Sequence, residues 1–339
     1  MQRNTTAIIQ DDKKVKFNTQ KQFDQFNFPF TFNPVIGCAL ACKYCYSPIF
    51  VSKVPTDKGK KFFEESIVQL NAAERAATEL NRLRNLPQHL KRVQINETSE
   101  YYQPRVLHEI EAQGRDVMLE ILEEFQEASF GGNSWMIHLL TKSNGIEQHI
   151  PKLMEMKDMV QVEISFATPH ENIRKNLEFF TLPTDERLKV VEKLAKAGIF
   201  VRIMAMPFYG DENDLALLKK MKFDAGAKAF KNKELNYWDW DTVTSATYDD
   251  MIHDRIPRVN GRPDTKNLNY MIKSGEDVVV NGEVVIANVL MPGPKVNRKY
   301  PNWGVEDTEL ISERLVMQPV SRINCGYADI SKIDWGYII

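Results

Sequence analysis

The sequence predicts an α/β protein, and three observations carry that expectation. Short apolar or alternating segments trade places with amphipathic helical ones, nearly six times, up to about residue 222. That is the pattern of parallel strands joined by crossover helices. Polar residues gather just past the predicted strands, as Glu97-Thr98-Ser99, Thr141-Lys142-Ser143 and Ser165, at the strand ends where barrels build their sites. Beyond residue 222 the alternation stops and a β-hairpin pattern follows. Alternation alone does not separate a barrel from a doubly wound sheet.

Taken in order, residues 1–30 are polar, with Phe17, Phe23, Phe26, Phe28 and Phe30 interspersed. They read as an extended arm that packs its aromatics onto the body. Segment 31–37 reads as a strand running into a cysteine-rich loop. Asn33-Pro34 and Gly37 are turn formers that let backbone approach closely. The spacing of Phe63, Ile67, Leu70, Ala73, Ala77 and Leu80 predicts one amphipathic helix over 61–84. A strand over 92–96, a helix over 106–127 and strands over 135–141 and 160–166 follow. Leu188, Val191, Leu194 and Ala195 share one face of a helix that opens at Thr184-Asp185-Glu186 and closes at Gly198. The strand over 199–206 ends before Pro207.

After this, 228–240 mixes lysines with Phe230, Tyr237, Trp238 and Trp240, and 255–266 is loop-like. Val278-Val279-Val280 and Val284-Val285-Ile286 flank Asn281-Gly282, the signature of a two-residue hairpin turn. A Pro/Gly/Asn loop over 291–303 carries Lys295, Arg298 and Lys299. The chain thus divides into an arm (1–30), a main body (31–221) and a C-terminal extension (222–339) that would close over a substrate.

Composition sets outer limits. A chain of 339 residues can bury a barrel-sized core. No apolar run approaches the length of a membrane span, and the polar N-terminus lacks the apolar centre of a secretory signal. A net charge of −2 gives no global attraction for nucleic acid, so DNA binding would need a local basic patch. With only 4 cysteines, a reducing cytoplasm is expected; the protein is also expected to be a monomer.

Three of those cysteines, Cys38, Cys42 and Cys45, stand at C-x3-C-x2-C spacing, and Tyr46 follows at once. Thiolates so spaced can take three irons of a [4Fe–4S] cubane and leave the fourth iron open for reaction. A structural zinc site would want a fourth ligand close by, yet the next cysteine is Cys325 and the nearest histidine is His89. A chance group of buried thiols is the remaining alternative. No second C-x2-C pair exists, so a single cluster is expected.

The motif resembles that of radical S-adenosylmethionine (SAM) enzymes. The stretch from about Asn33 to Pro207 resembles their spore photoproduct lyase-like branch. The likeness is carried by Asn33-Pro34-Val35-Ile36-Gly37-Cys38, Cys42-Lys43-Tyr44-Cys45-Tyr46, Thr98-Ser99-Glu100, Leu140-Thr141-Lys142-Ser143, Ile164-Ser165, Glu178, Arg187 and Ala197-Gly198. It implies a partial (β/α)6 TIM-type barrel, one [4Fe–4S] cluster, SAM on its open iron and an electron donor of flavodoxin or ferredoxin type. It also implies that Ser99, Lys142 and Ser165 bind the methionyl part of SAM. A zwitterion needs one cation and several hydroxyl partners. Solvated or capping roles are the bland alternative for all three. Tyr44 and Tyr46 match tyrosines implicated in hydrogen transfer, or else simply pack around the cluster.

One departure stands out. The repair lyase carries a hydrogen-donating cysteine just before its Thr-Ser-acid triplet, where this chain has Glu97. A carboxylate cannot donate a hydrogen atom. Hydrogen returned from 5′-deoxyadenosine would instead suit an isomerisation. Glu97 could then bind a cationic group, act as acid or base, or form a plain salt bridge. Related proteins in bacteriophages hypermodify thymidine, one by rearranging a nitrogen-linked glycine on the thymine 5-methylene to a carbon-linked one. The resemblance therefore points to modified thymidine in DNA. A base in DNA would have to leave the stack to reach the site. Tyr237, Trp238 and Trp240 could stack on bases, and Lys295, Arg298 and Lys299 could meet phosphates. A repair lyase, an enzyme on a peptide or small molecule, and a non-catalytic iron–sulfur nucleic-acid-binding module all stay open.

Overall fold

The computed structural model describes residues 15–18, 30–42, 44, 45, 47, 62–86 and 91–232, and the backbone alone of 5–9, 19, 258–259, 262–263, 275–280 and 283–287. In chain order the elements begin with β1 (Thr5–Ile9), β2 (Asn18–Thr19), β3 (Phe30–Phe32), β4 (Val35–Ile36), β5 (Glu65–Gln69) and α1 (Ala72–Arg82). Next come β6 (Arg92–Ile95), α2 (Pro104–Ala112), α3 (Val117–Phe130), β7 (Met136–Thr141), α4 (Ile150–Glu155) and β8 (Val160–Ser165). They are followed by α5 (Glu171–Leu177), α6 (Thr184–Lys196), β9 (Phe200–Ala205), α7 (Glu212–Asp224) and β10 (Ala229–Asn232). The short pair β11 (Arg258–Val259) and β12 (Arg262–Pro263) precedes β13 (Gly275–Val280) and β14 (Glu283–Ala287).

Strands β3, β6, β7, β8, β9 and β10 lie side by side in that order, all parallel. Each strand neighbours its successor, with no reversal of order. That rules out a doubly wound sheet, whose strand order turns back at a switch point. The two edges carry β2 and the β13–β14 hairpin, antiparallel to their neighbours. The fold is the partial TIM-type barrel. In the hairpin Val280 pairs with Glu283, the register that a two-residue connection requires.

The strands alternate strictly between two environments. Val93, Ile95, Ile137, Leu139, Val162, Ile164, Val201 and Ile203 are buried with Val106, Ile121, Phe125, Val191 and Leu194 of the surrounding helices in one core. The opposite strand face, which also carries Met136, Phe200 and Met204, is rich in buried polar residues: Arg92, Gln94, His138, Gln161, Glu163 and Arg202. From the arm, Phe17 joins the core, its ring 5.3 Å from Phe32 and 5.4 Å from Trp135.

Three sequence expectations need correction. The helix over 61–84 is a strand followed by a helix. Segment 65–69 pairs parallel with β1 and antiparallel with β4, a small sheet apart from the barrel. Ile67 and Leu70 fit a helical spacing, but Ile67-Val68 also suits a strand, and tertiary pairing decides so short a segment. The helix over 106–127 is two helices. Gly114 turns at φ 64° after α2, and the Asp116 side chain then accepts from Leu119 N at 3.0 Å to cap α3. The strand over 31–37 breaks after Phe32 at Asn33-Pro34, and Val35–Ile36 moves to the small sheet. Gly37 can occupy its position because it lacks a side chain: φ is 91°, and a Cβ would lie 1.9 Å from the Glu65 carbonyl oxygen.

The polar strand face is an ionic assembly. Glu163 accepts from Gln94 Nε2 at 3.0 Å and Arg202 Nη1 at 3.2 Å, with His138 Nδ1 at 3.7 Å. Burial, with Arg202 and Arg92 nearby, holds the His138 imidazole down to about 3. Burial pushes Glu163 the other way, but His138, Arg202 and Lys231 outweigh it and hold the carboxyl down to about 2. The unfolded chain therefore takes a proton on His138 that the fold refuses. Stability is expected to fall as pH drops below about 6.5, and to fall further below about 4.5 as Glu163 is lost. Urea titrations across pH check this. His138→Gln should flatten the upper part of the decline.

Candidate active site

Gly37 delivers the chain from the small sheet into the cysteine loop. The loop is pinned on both sides. Cys38 N donates to the Phe62 carbonyl at 2.9 Å, and Cys45 N to the Cys42 carbonyl at 3.0 Å. Gln103, fully buried, accepts from Ala39 N at 2.9 Å and donates to the Glu100 carbonyl at 2.7 Å. It thereby ties the cysteine loop to the loop after β6. That second loop is hooked back in turn: Thr98 N donates to Asn33 Oδ1 at 3.0 Å, and Ser99 Oγ donates to the Val35 carbonyl.

Cys38, Cys42 and Cys45 border one cavity of about 180 Å³, together with Glu97, Ser99, Lys142 and Ser165. Four sequence segments predicted to share a site therefore do meet. Among the described residues, no three His, Cys, Asp or Glu side chains are gathered to hold a single metal ion. The three thiols instead face a shared space.

Their surroundings favour the neutral thiol. Burial, with the Cys45 and Glu100 charges, pushes the Cys38 thiol up to about 12. Burial also raises Cys42 against the pull of Lys142, and raises Cys45 against its hydrogen bonds to Ser47. Such thiols stay protonated until a metal takes the proton's place.

Opposite them, Lys142 Nζ donates to Ser165 Oγ at 2.7 Å and lies 3.9 Å from Glu178 Oε1. Glu178 is the hub of a buried network. Arg187 Nη2 donates to it at 2.6 Å, and the Tyr44 hydroxyl donates to its other oxygen. Arg187 Nη1 also donates to the Ser165 carbonyl at 2.7 Å. Burial would raise the Glu178 carboxyl, but Arg187, Lys142 and Tyr44 hold it below the usual range. Burial and Glu178 push the Tyr44 phenol well up, so it keeps its proton. Glu100 holds the end of β7, accepting from Thr141 Oγ1 and Lys142 N, each at 2.8 Å.

Ser99 is a staple first. Its one hydroxyl proton goes to Val35, so it can offer a ligand only a lone pair. Tyr46, Tyr237, Trp238, Trp240, Lys295, Arg298, Lys299 and Cys325 lie outside the described residues. Reading the sequence alone left out Gln103, Asn96, Gln94 and Lys231. The last three also line the cavity. The alternation of polar residues along otherwise apolar strands was the available signal for Gln94. No helix among the described residues is long and apolar enough to cross a membrane.

The radical SAM superfamily matches residues 32–221. Spore photoproduct lyase of Bacillus subtilis (strain 168) is 22% identical over 217 residues, 60% of this chain and 52% of that protein. An uncharacterised protein of Mycobacterium tuberculosis (strain ATCC 25618 / H37Rv) is 22% identical over 182 residues, 53% of this chain and 49% of that protein. The chain spans about half the length of these relatives. Among solved structures, a spore photoproduct lyase mutant with bound AdoMet and dinucleoside spore photoproduct has the same fold. It superposes at TM-score 0.54 and 13% identity, covering 75% of this chain and 68% of its own. A second mutant of that lyase gives TM-score 0.53 at 12% identity, over 95% and 79%. A cluster with one open iron takes three thiolates and leaves SAM an adjacent cation and hydroxyls, which the cavity wall provides. The chain belongs to the radical SAM superfamily, whose cofactors are one [4Fe–4S] cluster and S-adenosylmethionine.

Proposed function

We propose that this enzyme acts on a thymine-derived nucleotide in DNA and rearranges it, so that the product keeps the substrate's own atoms. Glu97 carries the reading. It lines the same cavity as the three thiols, at the position where the resembled repair lyase has its hydrogen-donating cysteine. The lyase structure with a bound dinucleoside photoproduct supports a nucleotide substrate.

In this reading Cys38, Cys42 and Cys45 ligate the cluster. Lys142 pairs with the carboxylate of SAM, Ser165 orients Lys142, and Ser99 accepts from the amino group. Bound there, the cluster and SAM would supply the radical chemistry that removes one hydrogen atom from the substrate. Glu97 holds a cationic group such as the amine of an amino-acid-modified thymine. Tyr44, anchored on Glu178, shields the site beside the last cluster thiol, with Tyr46 as its sequence neighbour. The C-terminal extension supplies the nucleic-acid contacts, through Tyr237, Trp238, Trp240, Lys295, Arg298 and Lys299. A reduced flavodoxin or ferredoxin donates the electron.

The test is anaerobic. Cluster-loaded protein is given SAM, a reductant and DNA whose thymine 5-methylene carries a nitrogen-linked glycine. The DNA is then digested for mass spectrometry. A nucleoside of unchanged mass and altered retention is expected, and it should vanish with Cys42→Ser. Unaltered nucleosides, with 5′-deoxyadenosine formed equally without DNA, would overturn the reading.

A further inference from the structure

Asn96 is an anomaly that the cofactor sites do not absorb. It is 3% exposed and stands at the end of β6, directly before Glu97. Its φ is 67°, in the left-handed region that few residues other than glycine adopt and that Asn tolerates best. Both polar atoms of its carboxamide, Oδ1 and Nδ2, are buried without a hydrogen-bond partner. Leaving a donor and an acceptor unpaired in a dry place is unfavourable, so such a side chain calls for a partner. Asn96 lines the cavity of the three thiols. Gln94, two residues earlier on the same wall, has its Nε2 engaged by Glu163 at 3.0 Å. Met204 and Lys231, on β9 and β10, line the same cavity.

We infer that the Asn96 carboxamide reads the imide edge of the substrate pyrimidine, Nδ2 donating to the C4 carbonyl and Oδ1 accepting from N3–H. This rests on the thymine-derived substrate proposed above and adds how it is recognised. A carboxamide offers one donor beside one acceptor, and the imide edge offers the complement in the same plane. The exocyclic amine and adjacent ring nitrogen of adenine offer a similar pair. The adenine of SAM is thus the competing occupant.

The test uses cluster-loaded protein and the modified-thymidine oligonucleotide, with and without a methyl group on N3 of that thymine. Two variants keep the backbone. Asn96→Gly suits positive φ and removes the amide, and Asn96→Asp keeps the shape but loses the donor. Thermal melting confirms that both fold. Wild-type protein should bind the N3–H oligonucleotide about tenfold or more tightly than the N3-methyl one. Asn96→Gly should lose most of that preference, while Asn96→Asp, which still accepts from N3–H but cannot donate to the C4 carbonyl, should bind the N3–H oligonucleotide more weakly and keep the preference; SAM affinity should stay unchanged in both. A wild-type protein that binds the two oligonucleotides alike, or an Asn96→Gly variant that keeps the preference, overturns this inference and leaves the DNA reading standing. A fall in SAM affinity with the preference intact assigns the amide to adenine and also overturns it. Wild-type protein that binds neither oligonucleotide sinks the DNA reading, and this inference with it.

Discussion

Arg187→Met is expected to destabilise the fold by about 3–5 kcal/mol, because it strands a buried carboxylate. Arg187 is 1% exposed and Glu178 is 0% exposed, and their charges meet at 2.6 Å. The guanidinium also holds the Ser165 carbonyl and lies over the Phe166 ring, 4.8 Å from its centre. Without it Glu178 keeps only the Tyr44 hydroxyl and a lysine at 3.9 Å. A melting temperature lower by about 4–7 °C should result. The double variant with Glu178→Gln should recover much of the loss, since breaking a buried pair is worse than removing it. A single variant that melts like the parent would contradict the claim that this pair anchors the site.

Lys142→Met is expected to weaken SAM binding about ten- to a hundredfold and to leave the melting temperature nearly unchanged. A hydrogen bond to a charged group contributes about 1.5–3 kcal/mol, which sets that range. The ammonium is aimed by Ser165 at 2.7 Å and backed by the Tyr44 ring at 5.9 Å. Glu178 survives the change because Arg187 remains. Equilibrium dialysis of SAM against cluster-loaded protein reads the effect. Unchanged affinity would remove Lys142 from the SAM site.

The barrel was legible where strands carry apolar residues at every second position or more. Segments 136–141, 160–165 and 200–205 combine β-branched and other apolar residues, are bounded by polar turns, and fold as read. Legibility ended where pairing rather than local sequence decides. β5 exists because β1 and β4 flank it. β10 has four residues beside lysines and was hidden in a mixed stretch. It is a strand because β9 and β13 hold it on either side. It also carries the main sheet beyond residue 221.

The site divides the same way. The cysteine spacing points to a metal centre because three thiols sit within one loop. Glu97, Lys142 and Ser165 follow because barrels put chemistry at strand ends. Gln103 and Asn96 could not be read from sequence. Gln103 acts through contacts to two distant loops, and Asn96 is conspicuous only through its backbone conformation and unpaired amide.

The most direct test of the account asks where the abstracted hydrogen goes. The rearrangement breaks the bond from nitrogen to the thymine 5-methylene, joins that methylene to the glycine α-carbon and leaves the returned hydrogen on nitrogen. The enzyme is given modified-thymidine DNA deuterated at the glycine methylene, and SAM and 5′-deoxyadenosine are examined for deuterium. With Glu97 in place of a donor cysteine, deuterium is expected in the recovered SAM, with little net 5′-deoxyadenosine. Unlabelled SAM and one deuterated 5′-deoxyadenosine per product would contradict the return of hydrogen from 5′-deoxyadenosine and point to a separate hydrogen donor, as in the hydrogen-donating lyases.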